Sequence, residues 1–263
     1  MTRLASLWSY RGFILSSVKR EFQHKYQSTL LGPSWAVLNP LAMILVYTLI
    51  FSQVMRAKMP GVDTTFAYSI YLCAGILTWG LFNEIVTRGQ NSFVENANLL
   101  KKINFPRFCL PTIVVLNAVV NFSIIFTLFT AFLILSGHFP GWPFLALVPL
   151  LAILIFFAIG LGVTLGVLNV FFRDVGKFFA IFLQFWFWLT PIVYPVTVLP
   201  ALIGKIVMLN PLAPLMAGFQ DILVLGQWPQ WITLIYPTIL ALLLCVQGMR
   251  LFRRHASDLV DEL

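Results

Sequence analysis

Across residues 178–188 every position except Ala180, Ile181, Leu183 and Gln184 is phenylalanine or tryptophan. Flat rings offer apolar faces to the C–H faces of sugars, and stacking tolerates changes of register, so a wall of rings lets a polymer slide. Tyr47, Phe51, Trp79, Phe82, Phe185 and Trp186 are the candidate wall residues. The same rings equally suit lipid-facing belts and helix packing. Asn117 and Asn121, four apart, can meet sugar hydroxyls or hydrogen-bond to a neighbouring helix. Gln184 fits either class. Bond-making chemistry has little to work with. His24, His138 and His255 stand apart from any recognisable partner acid or nucleophile. Cys73, Cys109 and Cys245 lie in or beside apolar runs without disulfide or metal spacing. No GxxxxGK[ST] phosphate loop exists in the chain, so work driven by ATP needs the nucleotide on another polypeptide.

The elements that must position these residues are membrane spans. Residues 108–172 run for 65 positions without Asp, Glu, Lys or Arg. As helix that is about 97 Å, against a hydrocarbon layer of about 30 Å, so the run crosses twice. Its turn is Ser136, Gly137, His138, Phe139, Pro140, Gly141, Trp142 and Pro143, which predicts helices over 108–135 and 144–170. With 60% hydrophobic and 10% charged residues and a mean hydropathy of +0.91, the whole chain 1–263 reads as one polytopic membrane domain. Its net charge of +8 does not point to nucleic acid, because the charges gather in the gaps between apolar runs.

Taken in order, Leu4, Leu7, Trp8, Leu15, Val18, Phe22 and Tyr26 recur at helical spacing with polar residues opposite, which suits a helix lying on the membrane surface. This leader is basic and lacks a cleavage site, so it is expected to stay attached. A turn over residues 30–35 precedes a first span reaching about residue 55, with Pro40 near its entrance, and a second span covers 66–86. Glu84 stands four residues before Arg88, the order of a stabilising helix pair. Residues 88–107 form the longest polar connection, long enough for one short amphipathic helix ended by Pro106. Ala158, Gly162 and Gly166 mark a small-residue stripe for close helix approach. A fifth span is expected over 178–195, re-entrant or interfacial helices through the proline-rich stretch to about 227, and a last span over 228–249.

The fold class expected is therefore an all-α membrane protein with six spans. Such a count puts fourteen of the 17 Lys and Arg on one side, leaving Arg56, Lys58 and Lys205 on the other. The positive-inside rule then predicts both termini and the 88–107 loop to be cytoplasmic. Apart from Glu84 the spans hold no ionisable residue and no inverted repeat is visible, which disfavours a proton- or sodium-coupled carrier.

Five blocks carry a resemblance to a known family: Lys25-Tyr26-Gln27-Ser28 through Leu31-Gly32-Pro33-Ser34-Trp35 to Asn39-Pro40-Leu41; Asn96-Ala97-Asn98-Leu99-Leu100-Lys101-Lys102 through Phe105-Pro106-Arg107; residues 169–175 with Phe172-Arg173-Asp174; Trp188-Leu189-Thr190-Pro191 with Tyr194-Pro195; and Asn210-Pro211-Leu212 with Pro214. In these the chain resembles the membrane permeases of bacterial ATP-binding-cassette exporters of O-antigen, capsule or teichoic-acid polymers. The resemblance implies a homodimer in the bacterial inner membrane bound to two ATPase subunits, exporting an undecaprenyl-linked polysaccharide. This chain would hold no cofactor, with ATP and Mg on the partner subunit. By the same resemblance residues 88–105 would be a coupling helix, with Glu95, Asn98, Leu99, Leu100, Lys101 and Lys102 meeting the ATPase. Arg20, Lys25, Leu31, Gly32, Pro33 and Trp35 would border a lateral entrance, and the segment near Lys205 would close the outer mouth. Arg11, Lys19, Arg20 and Lys25 can attract the carrier's pyrophosphate or anionic headgroups alike. Two other readings stay open: an exporter of drugs or lipids, and a membrane enzyme or scaffold of envelope assembly.

Overall fold

The computed structural model describes residues 10–26, 31–50, 66–97, 101, 109–255 and 258–262, and every regular element among them is helical. In chain order these are α1 (Arg11–Tyr26), α2 (Trp35–Thr48), α3 (Ala67–Glu95), α4 (Cys109–Leu135), α5 (Leu147–Phe171), α6 (Asp174–Leu189), α7 (Ala201–Val207), α8 (Leu212–Gln220), α9 (Ile235–Arg254) and α10 (Asp258–Glu262). Four helices, α3, α4, α5 with its leading turn, and α9, are long and apolar enough to cross a bilayer. A fifth crossing exists if the pair Ala201–Val207 and Leu212–Leu225, bent by 103°, counts as one. The six-span expectation also needs α2 and α6. Their described lengths are 14 and 16 residues, and α6 is about 24 Å long, short of a full hydrocarbon layer.

The hub is α5, which packs most extensively on α3 and α9. Small residues on two sides of it make those approaches possible. Toward α3, a Cβ on Gly89 would lie 3.2 Å from the Gly162 Cα, and one on Gly166 would lie 2.7 Å from the Gly89 carbonyl oxygen. Toward α9, a Cβ on Gly160 would lie 2.5 Å from the Cys245 backbone nitrogen. Ala158 is fully buried in the same stripe. The stripe lets the helices approach closely, and Gly160 extends that to a second partner. Such contacts are what drive helix association where lipid removes the hydrophobic incentive.

The turn between α4 and α5 falls where the glycines and prolines placed it. Gly137 and Gly141 have φ of 74° and 72°, a region that favours glycine. Phe66 closes this end edge-on against Phe132 and His138.

Three boundaries differ from expectation. α3 does not stop near Val86 but runs 29 residues to Glu95, about 44 Å. Arg88, Gln90 and Asn91 thus prolong the second helix instead of opening a loop, because nothing before Asn96 interrupts the backbone and the one glycine, Gly89, is consumed in packing. A coupling helix over 88–105 therefore cannot begin as a separate element at Arg88. Of its remainder, Asn98, Leu99, Leu100 and Lys102 lie outside the described residues.

The second difference is α6, which ends at Leu189, not Pro195. Pro191 forces Thr190 to an extended conformation (φ −98°, ψ 135°). Third, α9 starts at Ile235, after irregular chain and a turn over 231–234, and continues through Arg250, Arg253 and Arg254. On α1 it is Ile14 that is buried, while Leu15 is 62% exposed. The helix therefore has a protein-facing side against α4, distinct from the stripe through Leu15.

Candidate functional site

A groove of about 600 Å³ runs between α3 and α6. On α3, Trp79, Asn83 and Thr87 recur every fourth residue and share one face. On α6 the walls are Ala180, Leu183, Gln184, Phe185, Phe187 and Trp188. Phe185 and Trp188 are each more than 60% exposed, whereas Trp79 is held edge-on by Phe187 at 5.6 Å between ring centres. Two rings expected at the wall stand behind it instead. Phe82 has no exposed surface and packs on Trp79, Phe157 and Trp186 at 5.4, 5.9 and 5.5 Å. Trp186 donates its indole N–H to the Asn210 Oδ1 at 2.9 Å. Both buttress the groove and do not line it. Tyr47 packs against the core from α2, away from the groove, and Phe51 lies outside the described residues.

The chain break after α6 has its own hydrogen-bond frame. The Tyr71 hydroxyl lies 3.1 Å from the Pro191 carbonyl and 2.8 Å from that of Tyr194, while Tyr68 donates to the Val193 carbonyl at 2.7 Å. Gln220 on α8 also donates to the Pro191 carbonyl, at 3.0 Å. Asn210 donates to the Thr190 hydroxyl at 2.8 Å and accepts from the Leu212 backbone N–H at 3.1 Å. These side chains take over the backbone groups that the break releases, a requirement for irregular chain at membrane depth. Asn210 stands in one of the blocks that carry the resemblance, but none of these bonding roles was legible in the sequence, because Tyr68, Tyr71 and Gln220 answer carbonyls far along the chain.

At the end that carries Arg88, two polar devices tie helices together. Asn169, at the end of α5, accepts from the Gly176 N–H at 2.9 Å and donates to the Gln90 carbonyl at 3.3 Å, and Gln90 donates to the Gly176 carbonyl at 3.1 Å. The start of α6 is thereby stapled to the lower part of α3. Beside it, Arg88 pairs with Glu84 at 3.4 Å and with Glu21 of α1. Glu21 also accepts from Asn117, and Glu84 from Asn121 at 2.9 Å. The two asparagines of α4 thus make interhelical bonds, and the missing partner was Glu21, 96 positions from Asn117.

Arg20 lines a second groove of about 370 Å³ with Ser17, Glu21, His24, Arg88, Ser92, Glu95 and Asn96. Arg20 and Glu95, assigned to different roles on the sequence, therefore share one cleft. Leu31 and Trp35 are about half exposed, and Gly32 turns the chain with φ of 50°. Lys101 is exposed. The side chains of Lys25 and Pro33 lie outside those described. Among the described residues no group of His, Cys, Asp and Glu is arranged to hold a metal.

A profile of the ABC-2 type transporter family matches residues 13–224. The chain belongs to this family. Its relatives include an O-antigen export system permease protein RfbA of Klebsiella pneumoniae, 30% identical over 237 residues, which are 89% of this chain and 88% of that one. A protein of the same name from Myxococcus xanthus is 32% identical over 84% of each chain. The polysialic acid transport protein KpsM of Escherichia coli is 23% identical over 92% of each. In this ABC-2 transporter chain the matched region takes in both grooves, the α5–α6 staple and the frame around Pro191.

Proposed function

We propose that this chain is the channel-forming permease of an ATP-driven exporter that moves lipid-linked polysaccharide, O-antigen first among candidates, from cytoplasm to periplasm. The observation that carries the reading is the α3–α6 groove, long, ring-walled and open, in a chain similar to named O-antigen permeases. Rings give a sliding polymer contact area without demanding one register.

The full reading has one polytopic domain over 1–263 in the bacterial inner membrane, six spans including α2 and α6, and both termini cytoplasmic. Two copies would enclose the path, with undecaprenyl-linked glycan entering beside α1, Arg20, Lys25 and the Leu31–Gly32 turn. Two ATPase subunits would bind ATP and Mg and drive the chain through Glu95, Asn98, Leu99, Leu100, Lys101 and Lys102. The long α3 supports such a lever: unbroken helix from Trp79 to Glu95, it would carry displacement at its polar end to the groove wall, and the Asn169 staple would make α6 follow.

The test is a deletion strain. Loss of the protein should leave lipid-linked polysaccharide inside the cell, and restoring it should require the ATPase as well. Unchanged surface glycan with altered drug or lipid export would refute the assignment.

A further inference from the structure

The α3–α6 groove carries a second message in its polar groups. Asn83, Thr87 and Gln184 face it, and among the described residues none of their side-chain amides or hydroxyls has a protein partner. This contrasts with the neighbouring asparagines: Asn117, Asn121, Asn169 and Asn210 are all hydrogen-bonded. Amides and a hydroxyl both donate and accept, as a sugar hydroxyl does, and a carboxylate only accepts. No residue of the lining is ionisable. Of the cations on α3 and α6, Arg88, next to Thr87, is taken up by Glu21 and Glu84, and exposed Lys177, seven residues before Gln184, is not part of the lining.

We infer that this groove is selective for uncharged, hydroxyl-rich glycans, with Asn83, Thr87 and Gln184 as the hydrogen-bonding rungs between the rings of Trp79, Phe185 and Trp188. The inference rests on the exporter reading and adds the substrate class. A polyanion would lose water at its carboxylates and find no cation among the described lining residues, and the negative faces of the rings would repel it. A neutral sugar exchanges water for amide partners and stacks its C–H face. Residues 79, 83 and 87 rise by about 6 Å per step, so successive hydroxyls meet a ring, an amide and a hydroxyl in turn.

The test uses the full chain in phospholipid nanodiscs and saturation-transfer NMR, which detects weak binding. The probes are maltoheptaose, a neutral oligomer, and an oligomer of sialic acid of equal length. Maltoheptaose should give saturation transfer and the acidic oligomer at least tenfold less. In Asn83→Leu/Gln184→Leu, which preserves bulk, half-saturation by maltoheptaose should rise about tenfold, the usual result of losing one or two neutral hydrogen bonds. Gln184→Lys should shift preference toward the acidic oligomer. Circular dichroism and elution volume check that the variants fold. Equal or stronger binding of the acidic oligomer by the native chain overturns the inference and leaves the exporter reading intact. Failure of both probes, or a double variant that alters oligomeric state and not sugar binding, also overturns it, the latter by making the groove an interface between copies. The exporter reading itself stands or falls on the separate deletion-strain assay.

Discussion

Asn169→Ala and Gln90→Leu alter adjoining residues of one staple, and the geometry gives them different costs. Removing the buried Asn169 side chain strips the half-buried Gly176 N–H of its 2.9 Å acceptor. Its two donor contacts, at 3.3 and 3.4 Å, are long and contribute little. Leaving a fully buried backbone N–H unpaired costs about 1–3 kcal/mol, and this half-buried one about 1 kcal/mol, the low end of that range. Gln90 makes one good bond, to the Gly176 carbonyl at 3.1 Å, but its Oε1 is buried without a partner. Gln90→Leu forfeits about 1 kcal/mol for the bond and removes an unsatisfied acceptor that costs about as much, so it should be near neutral. Reversible unfolding in mixed micelles with rising dodecyl sulfate, followed by tryptophan emission, reports both. Equal destabilisation by the two variants, or a neutral Asn169→Ala, would mean that the Gly176 N–H does not depend on Asn169.

Three further outcomes follow from the packing and the proposed partner. Gly160→Ala puts a methyl 2.5 Å from the Cys245 nitrogen and 2.6 Å from the Leu244 carbonyl carbon; since backbone must yield, α5 and α9 should separate at a cost of about 1–3 kcal/mol, read in the same micelle titration, whereas Gly80→Ala, with open space around it, should cost little. Tyr71→Phe orphans the Tyr194 carbonyl but leaves Pro191 bonded to Gln220, so it should cost about 1–2 kcal/mol, and combination with Gln220→Leu should cost more than the sum. Lys101→Glu with Lys102→Glu should reduce co-purification of the ATPase by about tenfold or more, because like charges across an interface repel strongly; a pull-down with the native ATPase decides it.

Membrane character was legible wherever it depended on runs and breakers. The charge-free stretch, the turn at Gly137 and Gly141 and the small residues of α5 all act through neighbours or through bulk composition, so reading them required no partner. Helix ends were less legible. Arg88, Gln90 and Asn91 look like a loop by polarity, yet a helix continues past the apolar zone until something stops it. Pro191 did stop one, at a point obscured by the apolar sequence on either side. Ring orientation was least legible: nothing in the spacing separates Phe82 of α3, which is enclosed, from Phe185 of α6, which is open. The polar network failed for a different reason, since Glu21 meets Arg88 and Asn117 only after α1 folds back on α3 and α4.

As proposed, the conduit is passive and its motor external. Proteoliposomes holding this chain, with and without the ATPase, and loaded with fluorescent lipid-linked oligosaccharide on one face, test it directly. Translocation should require the ATPase and ATP together. Directional translocation by this chain alone, without nucleotide, would contradict the account.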